Sequence, residues 1–183
     1  MLNTLGVKNG YPGEEIPMVL AILLVLLILL WCIGIIITKR AAKQFSSMNY
    51  ARVLRLKKTL LYYHKRSKEL WRIYLMLAVS SYEMGHESDF IEYINMMSGQ
   101  EAQPAILYWK CVHMFFKGQD DIFESYFAEL KRVVEQNCND VSSQYLRSME
   151  VLVKKRNGEY LTEEDRQQIE KSVSKTIKEY INQ

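Results

Sequence analysis

One uninterrupted apolar run, residues 16–37, dominates the pattern of hydrophobic and polar positions along this chain. Its 22 residues carry no charge and include a single glycine, Gly34. About 20 residues of helix cross the hydrocarbon core of a bilayer, where the backbone must satisfy its own hydrogen bonds. The run therefore predicts a transmembrane helix, assigned to residues 16–38. Acidic residues precede it and basic residues follow it, the reverse of a cleavable signal peptide, which favours a retained anchor.

Basic residues are distributed unevenly about this run. Residues 1–15 carry one lysine, whereas residues 39–72 hold 11 Lys and Arg and one acid. Because basic residues stay on the cytoplasmic side, we expect a single-pass protein with residues 1–15 as a short extracytoplasmic N-terminus and a cytoplasmic C-terminal part. The chain as a whole carries +3, but the basic block carries +10 and residues 73–183 carry −6.

The basic block has two interpretations. It orients insertion, or it also binds anionic lipid headgroups, at about 1 kcal/mol per basic residue near the surface. We assign residues 39–66 as a basic juxtamembrane helix or linker. No recognised nucleic-acid motif accompanies it, so specific nucleic-acid binding is not expected. The candidate headgroup-binding residues are Lys39, Arg40, Lys43, Arg52, Arg55, Lys57 and Lys58.

Beyond the anchor, apolar residues recur at three- and four-residue steps without an alternating strand pattern, which predicts an all-α fold. Capping residues and glycines give the helix boundaries. The Ser46-Ser47 pair is expected to begin a helix that runs to about Tyr63. Thr162 and Asp165 form a weaker relative of the capping box. One terminal helix is expected to follow, with apolar residues at every fourth position: Ile169, Val173, Ile177 and Ile181.

The chain also repeats itself along this helical part. The shift that places Gly85 on Gly118 also places Phe90 on Phe123. Each half reads as a helix, a turn that contains glycine, and a second helix with aromatic residues on its inner face. A third helix pair has Gly158 at its turn, but Gly158 lies farther from Gly118 than Gly118 lies from Gly85. The sequence thus predicts two similar helical hairpins and a divergent or capping third one.

This pattern resembles the tetratricopeptide repeat, whose period is about 34 residues. The resemblance covers about residues 67–183, although some spacings depart by a residue and the consensus Ala of the second helix is not evident. It implies a stack of antiparallel helix pairs, an α-solenoid, whose concave surface binds peptide segments or partner helices. The alternative is a generic α-helical bundle. The residues that carry the resemblance are Trp71, Ala78, Tyr82, Gly85 and Phe90, then Trp109, Phe115, Gly118 and Phe123.

No motif for catalysis is present in the sequence. His64, His86 and His113 are isolated from any Ser, Cys or carboxylate at a recognisable spacing, and no glycine-rich phosphate loop occurs. The three cysteines are too widely spaced for a disulfide framework. Cys111 and His113 are two residues apart, so a helix points them to different faces. We therefore expect no metal, no cofactor, no small-molecule substrate and no enzymatic activity.

The sequence favours a membrane-anchored protein-interaction adaptor or scaffold, since tethering raises the effective concentration of partners in the membrane. Two alternatives remain open. One is a structural subunit that assembles through its transmembrane helix, although that helix lacks a polar stripe and a close-packing motif. The other is an anionic-lipid-surface protein that acts through residues 39–68. The partner is an unidentified protein or peptide. Its candidate contact residues, which fall off the apolar stripes, are Arg72, Tyr108, Lys110, Gln144 and Arg147.

Overall fold

Residues 15–137 and 139–183 are described by the computed structural model, and they form helices and turns without a strand. The predicted extracytoplasmic segment lies outside these residues except for Glu15, and Cys138 also lies outside them. The all-α prediction is confirmed for this part of the chain. Its ten helices are α1 Glu15–Ser46, α2 Tyr50–Arg55, α3 Lys57–His64, α4 Leu70–Glu83, α5 Glu87–Met96, α6 Gln103–Lys117, α7 Asp120–Asn137, α8 Asp140–Arg156, α9 Glu163–Glu170 and α10 Lys175–Asn182.

The apolar run forms the first part of α1, a single helix of 32 residues. This helix is long and apolar enough to cross a membrane, and most of its large apolar side chains between Met18 and Ile36 are exposed. It does not end with the apolar run, because no glycine or proline follows to break it. Its last turns enter the core of the later helices, where Ala41 is fully buried and Phe45 packs on the same cluster.

The segment expected to form one helix from Ser46 to about Tyr63 forms two short helices instead. A turn at residues 47–49, with Met48 at a φ of 56°, separates them from α1. The two serine hydroxyls donate to carbonyls of the preceding turn rather than capping a new helix, a local bond that competes with N-capping. α2 and α3 meet at Leu56, and both pack against α1.

The repeat in the sequence corresponds to a repeated turn in the backbone. α4 packs on α5 and α6 packs on α7, and the turns contain Gly85 and Gly118 at φ values of 73° and 67°. In both turns, the glycine N–H donates to the carbonyl three residues before it. The N–H of the next residue donates to the carbonyl five residues before it, and the N–O distances are 2.8–3.2 Å. Gly158 after α8 makes the same bonds at a φ of 73°. This Schellman-type ending needs the left-handed conformation that glycine adopts without strain.

Equivalent aromatic positions of the two hairpins are packed alike. The ring centroids of Tyr82 and Phe90 lie 5.2 Å apart, and those of Phe115 and Phe123, at the same positions of the second hairpin, lie 5.7 Å apart. Phe90 is 2% exposed and Phe123 is fully buried. The last turn of the first helix is thus joined to the first turn of the second helix through an aromatic pair in each hairpin.

The C-terminal segment forms two helices rather than the single helix expected from its apolar spacing. α9 begins with the predicted capping box, because the Asp165 N–H donates to Thr162 Oγ1 (3.2 Å) and the Thr162 N–H to Asp165 Oδ2 (3.1 Å). It ends at Glu170. α10 then has a cap of its own, since the Ile177 N–H donates to Ser174 Oγ (3.2 Å).

A tertiary contact also holds the break between α9 and α10. Glu83, at the end of α4, accepts hydrogen bonds from the Ser174 hydroxyl and from the Thr176 N–H and hydroxyl, the last two at 3.1 Å. A carboxylate at a helix N-terminus satisfies free N–H groups and favours a helix start there. The same apolar cluster that contains Ala41 of α1 also contains Ile181 of α10, so one core connects the end of α1 to the C-terminal helix.

Candidate functional site

A cavity of about 270 Å³ lies between α4, α6 and α8. Tyr108 and Trp109 of α6 and Tyr145 of α8 form its aromatic wall, and Phe45 of α1 contributes from the other side. The rings of Tyr108 and Tyr145 are stacked, with centroids 4.8 Å apart and an interplanar angle of 29°. Two aliphatic side chains of α4 complete the apolar lining. Because Tyr145 covers the Tyr108 ring, the accessible part of this wall is mainly the half-buried Tyr145 ring, an aromatic surface that favours an apolar ligand group.

The rim of the cavity is polar and is supplied by α8, α9 and the residues that follow α9. Gln168 Nε2 donates to the Gln144 carbonyl (3.2 Å) and to Ser148 Oγ (3.3 Å), which ties α9 to α8. Gln144 is exposed, so its side-chain amide faces solvent at the opening. Lys171 is also exposed and forms no ion pair within the described part of the chain. The rim therefore offers an amide and an ammonium group to a ligand.

Residues 172–173, which we call the roof of the cavity, are held in place by hydrogen bonds from two other helices. Ser172 and Val173, between α9 and α10, line the cavity. The Tyr50 hydroxyl donates to the Val173 carbonyl at 2.5 Å, and Glu83 holds the next residues through the bonds described above. Burial, with a contribution from the Glu83 charge, raises the pKa of Tyr50 to about 12. The hydroxyl therefore stays protonated and remains a donor at neutral pH.

Burial favours the neutral forms of the two cavity tyrosines and of the nearby Cys111 by raising the pKa of each. Burial raises the pKa of Tyr108 and of Tyr145 above the ordinary tyrosine value. Burial also raises the pKa of the Cys111 thiol to about 12, which keeps it as a thiol rather than the reactive thiolate. These side chains can accept or donate hydrogen bonds and pack against a ligand, and the cavity is therefore a candidate binding site.

Two of the five predicted partner-contact residues meet at this cavity. Gln144 lies at its rim, and Tyr108 lies in its wall. Tyr108 was expected on an exposed surface, but it is only 4% exposed. The reason is that α8 packs across α6 and covers the ring with Tyr145. The pattern of polar and apolar residues within α6 could not predict this contact, because α8 lies much later in the sequence, beyond α7.

The other three predicted contact residues lie elsewhere. Arg72 is exposed near the start of α4 and pairs with Glu69 at 2.6 Å. The Lys110 ammonium lies 5.3 Å from the ring centroid of Tyr126 on α7. Arg147 is exposed and lines a different cleft, between α8 and the start of α9. The structure therefore does not join these residues into one surface with the cavity.

Several cavity residues escaped the sequence analysis. Tyr145 recurs with Met149 and Val153 at four-residue steps, and that periodicity indicates burial but not a cavity. Gln168, Lys171 and Ser172 reach the rim only because the chain bends between α9 and α10. Two local hydrogen bonds accompany that bend, from the Ser174 N–H to Ser172 Oγ (3.1 Å) and from the Ile177 N–H to Ser174 Oγ (3.2 Å), and the distant Glu83 also holds it.

Most of the predicted headgroup-binding residues are exposed side chains on the first three helices. Lys57 differs, because it is half-buried, pairs with Asp89 at 3.7 Å and places its ammonium 4.9 Å from the ring centroid of Tyr93. That lysine joins α3 to α5. The exposed ones are Lys39, Arg40 and Lys43 on α1, Arg52 and Arg55 on α2, and Lys58 on α3.

A cluster of titratable side chains joins α5 to α6. Glu87 Oε1 lies 3.4 Å from His113 Nε2 and accepts a hydrogen bond from Lys117. Burial lowers the pKa of His113 below its usual range, and the Lys117 charge lowers it further. The hydrogen bond from Lys117 lowers the pKa of Glu87. Among the residues that the structure describes, no group of three or more His, Cys, Asp or Glu could hold a metal ion.

The chain matches no protein-family model, no curated protein and no solved structure. A functional proposal therefore depends on the helix arrangement, the cavity and the charges described above.

Proposed function

We propose that this chain is a single-pass membrane protein whose helical domain binds a segment of a partner protein in the cavity between α4, α6 and α8. The continuity of α1 carries this proposal. Its exposed apolar part and its buried part form one unbroken helix, which enters the core at Ala41 and Phe45. A bilayer that receives the first part therefore holds the domain at a fixed distance from its surface, without a flexible linker.

The exposure of the apolar part of α1 supports the bilayer assignment. Large side chains from Met18 to Ile33 are 44–68% exposed. In water this surface would be strongly unfavourable, and a continuous apolar surface of this length matches the hydrocarbon thickness of a bilayer. The basic residues that follow favour a cytoplasmic location for the helical domain.

The chemistry of the cavity supports a peptide ligand. Its half-buried Tyr145 ring accepts an apolar or aromatic side chain, and a rigid aromatic ring loses little entropy when it binds. The amide of Gln144 suits a peptide backbone, and the unpaired ammonium of Lys171 suits an acidic side chain beside the apolar one. The resemblance to tetratricopeptide repeats, reinforced by the repeated Gly85 and Gly118 turns, implies this kind of binding to peptide segments.

A role as a subunit assembled through the membrane helix is the weaker proposal. Close approach of two membrane helices favours glycine and other small residues at the contact. Gly34 is the one glycine of the apolar run, and it already packs on Tyr63 of the same chain, whose Cδ1 lies 2.9 Å from where a Cβ would stand. That surface is therefore occupied within the chain and is not available to a partner helix.

Affinity capture from native membranes tests the proposal with four full-length baits. The first is the natural chain. The second has residues 18–33 replaced by an unrelated Leu/Ala sequence of equal length, which keeps Gly34 and everything after it. The third is Gln144→Arg, which places a bulky charge at the cavity opening. The fourth is Val141→Arg, the matched control, because Val141 is 59% exposed on the same helix and does not line the cavity.

The expected result is one partner retained by the natural chain, by the anchor replacement and by Val141→Arg, and lost by Gln144→Arg. Loss with the anchor replacement, together with retention by Gln144→Arg, would contradict the proposal and would support assembly through the membrane helix. The baits retain α1 beyond Gly34 because a fragment cut at Ser46 would remove Ala41 and Phe45 from the core.

A further inference from the structure

After α1, the chain folds back through α2 and α3 so that the end of α3 lies beside the end of the apolar run. Phe45, in the last turn of α1, lies beside Tyr50, with ring centroids 6.3 Å apart. At the other end of the returning segment, His64 Nε2 lies 2.7 Å from Thr38 Oγ1. Eight residues of helix separate Thr38 from Ser46, a rise of about 12 Å. The first and last parts of the basic block therefore meet at the end of the apolar run, while its middle lies farther away.

A notch of about 460 Å³ separates α1 from the end of α3 at this level. Gly34 forms its closed side, where the absence of a side chain lets Tyr63 approach the α1 backbone. Its lining divides by polarity along the helix axis. Trp31 and Ile35 provide the apolar half, within the apolar run. The polar half, beyond the run, is provided by Thr38, Lys39, His64 and Ser67.

Hydrogen bonding in the polar half leaves donors facing the notch. The Thr38 hydroxyl donates to the Gly34 carbonyl (2.8 Å), and its oxygen lies 2.7 Å from His64 Nε2, so both side chains are already engaged within the chain. Ser67 Oγ accepts from the Glu69 N–H (3.1 Å), which leaves its own proton free to donate. The Lys39 ammonium is exposed and has no acidic partner among the described residues.

The surroundings of the notch are basic and contain little compensating charge. Lys39 lines it, and four further exposed basic residues are close in sequence to the lining residues. None of the five forms an ion pair in residues 15–137 and 139–183, and the nearest following acid, Glu69, is held by Arg72 at 2.6 Å. A phosphate would gain from this field, whereas the ammonium group of a zwitterionic lipid would find no carboxylate. The four are Arg40, Lys65, Arg66 and Lys68, of which Lys65 lines a separate cleft between α3, α4 and α5.

We infer that the notch binds one anionic glycerophospholipid, with its phosphate at Lys39 and Ser67 and an acyl chain along Ile35 and Trp31. The inference uses the bilayer placement of α1 from the proposed function but does not depend on the cavity or on a protein partner. It assigns lipid recognition to two ends of the basic block joined by the fold, rather than to a continuous stretch of basic residues. Lys43 and Arg52, farther from the apolar run, take no part in the notch.

Native mass spectrometry of the full-length protein in detergent with equimolar phosphatidylglycerol and phosphatidylcholine tests this inference. The expected spectrum shows one retained lipid, mostly phosphatidylglycerol. Lys39→Gln is expected to lower that retention about fivefold, the loss of one basic contact. Ser67→Ala is expected to lower it as well. Lys43→Gln, the matched control one turn farther along α1, is expected to leave it unchanged.

Three results would overturn the inference. Equal retention of the two lipids would show that the basic residues at the notch do not select for an anionic headgroup. An equal loss with Lys43→Gln would show diffuse surface attraction. Equal retention of glycerol 3-phosphate and phosphatidylglycerol at the same concentration would show that the apolar half contributes nothing. Because this assay contains no protein partner, its failure would leave the Gln144 capture result intact, and failure of that capture would leave this result intact.

Discussion

Glu83 is predicted to hold the C-terminal helix on the rest of the domain and thereby to keep the cavity roofed. Its carboxylate accepts from the Ser174 hydroxyl and from the Thr176 N–H and hydroxyl. Glu83→Ala removes all three bonds. Glu83→Gln keeps an acceptor of the same shape but removes the charge. Glu150→Gln is the matched control, because Glu150 is exposed in the middle of α8 and makes no hydrogen bond or ion pair in the described residues.

Hydrogen bonds to a charged group contribute about 1.5–3 kcal/mol each in buried settings. Glu83 is half-buried, and water can replace part of what is lost. We therefore expect Glu83→Ala to lower the free energy of unfolding by about 2 kcal/mol in total. Neutral acceptors form hydrogen bonds about half as strong as charged ones, so Glu83→Gln should cost about 1 kcal/mol. The control should change stability by less than about 0.5 kcal/mol.

Hydrogen–deuterium exchange of the purified full-length protein in micelles locates the effect. With α10 held less firmly by about 2 kcal/mol, its amides should exchange about 30-fold faster in Glu83→Ala. Amides of α4 and α6 should change much less. The thermal midpoint should fall by about 4–8 °C, as expected for a chain of this size.

Unchanged exchange in α10 would refute this reasoning, even if the thermal midpoint fell. That result would mean that apolar contacts of Ile177 and Ile181, which are 0% and 3% exposed, hold the helix without help from Glu83. Equal effects of Glu83→Ala and Glu150→Gln would likewise show that general surface charge is responsible.

Three further predictions concern positions outside the roof. Gly118→Ala should cost about 1–2 kcal/mol in a denaturant titration, because the residue has a φ of 67° and no atom lies within 4 Å of the added Cβ, so only backbone strain acts. Gly34→Ala should destabilise the chain by about 1–3 kcal/mol through overpacking on Tyr63, and a double-mutant cycle with Tyr63→Ala should remove most of that cost. The lowered pKa of His113 means that the unfolded chain binds a proton first, so stability should fall as the pH drops below 6.5, and His113→Phe should flatten that part of the pH profile.

The sequence predicted several features that depend on neighbouring residues, although the cap expected at Ser46-Ser47 did not form. The Thr162 capping box and the turns at Gly85, Gly118 and Gly158 are all present. Each needs only a few adjacent residues with particular donors, acceptors or backbone freedom, so a local pattern suffices. The apolar run likewise identifies its helix by length and composition alone.

Features that depend on distant residues were not predicted. The tertiary contact at the break between α9 and α10 comes from Glu83, which lies far before Thr176 in the chain but bonds to it in the fold. Tyr108 is buried because α8 covers it, and the polar rim of the cavity exists because the chain bends after Glu170. The continuation of α1 into the core also depends on later helices that cover Ala41. In each case the contact joins helices that are far apart in the sequence. The spacing of residues within one helix does not show that they meet.

The most direct test of the proposed function is photo-crosslinking from the cavity opening in native membranes. A photoreactive phenylalanine derivative would replace Gln144 in one full-length protein and Val141, exposed on the same helix, in another. The proposal predicts a discrete crosslinked partner from position 144 and none from position 141. The same crosslinked products from both positions, or none from position 144, would contradict it.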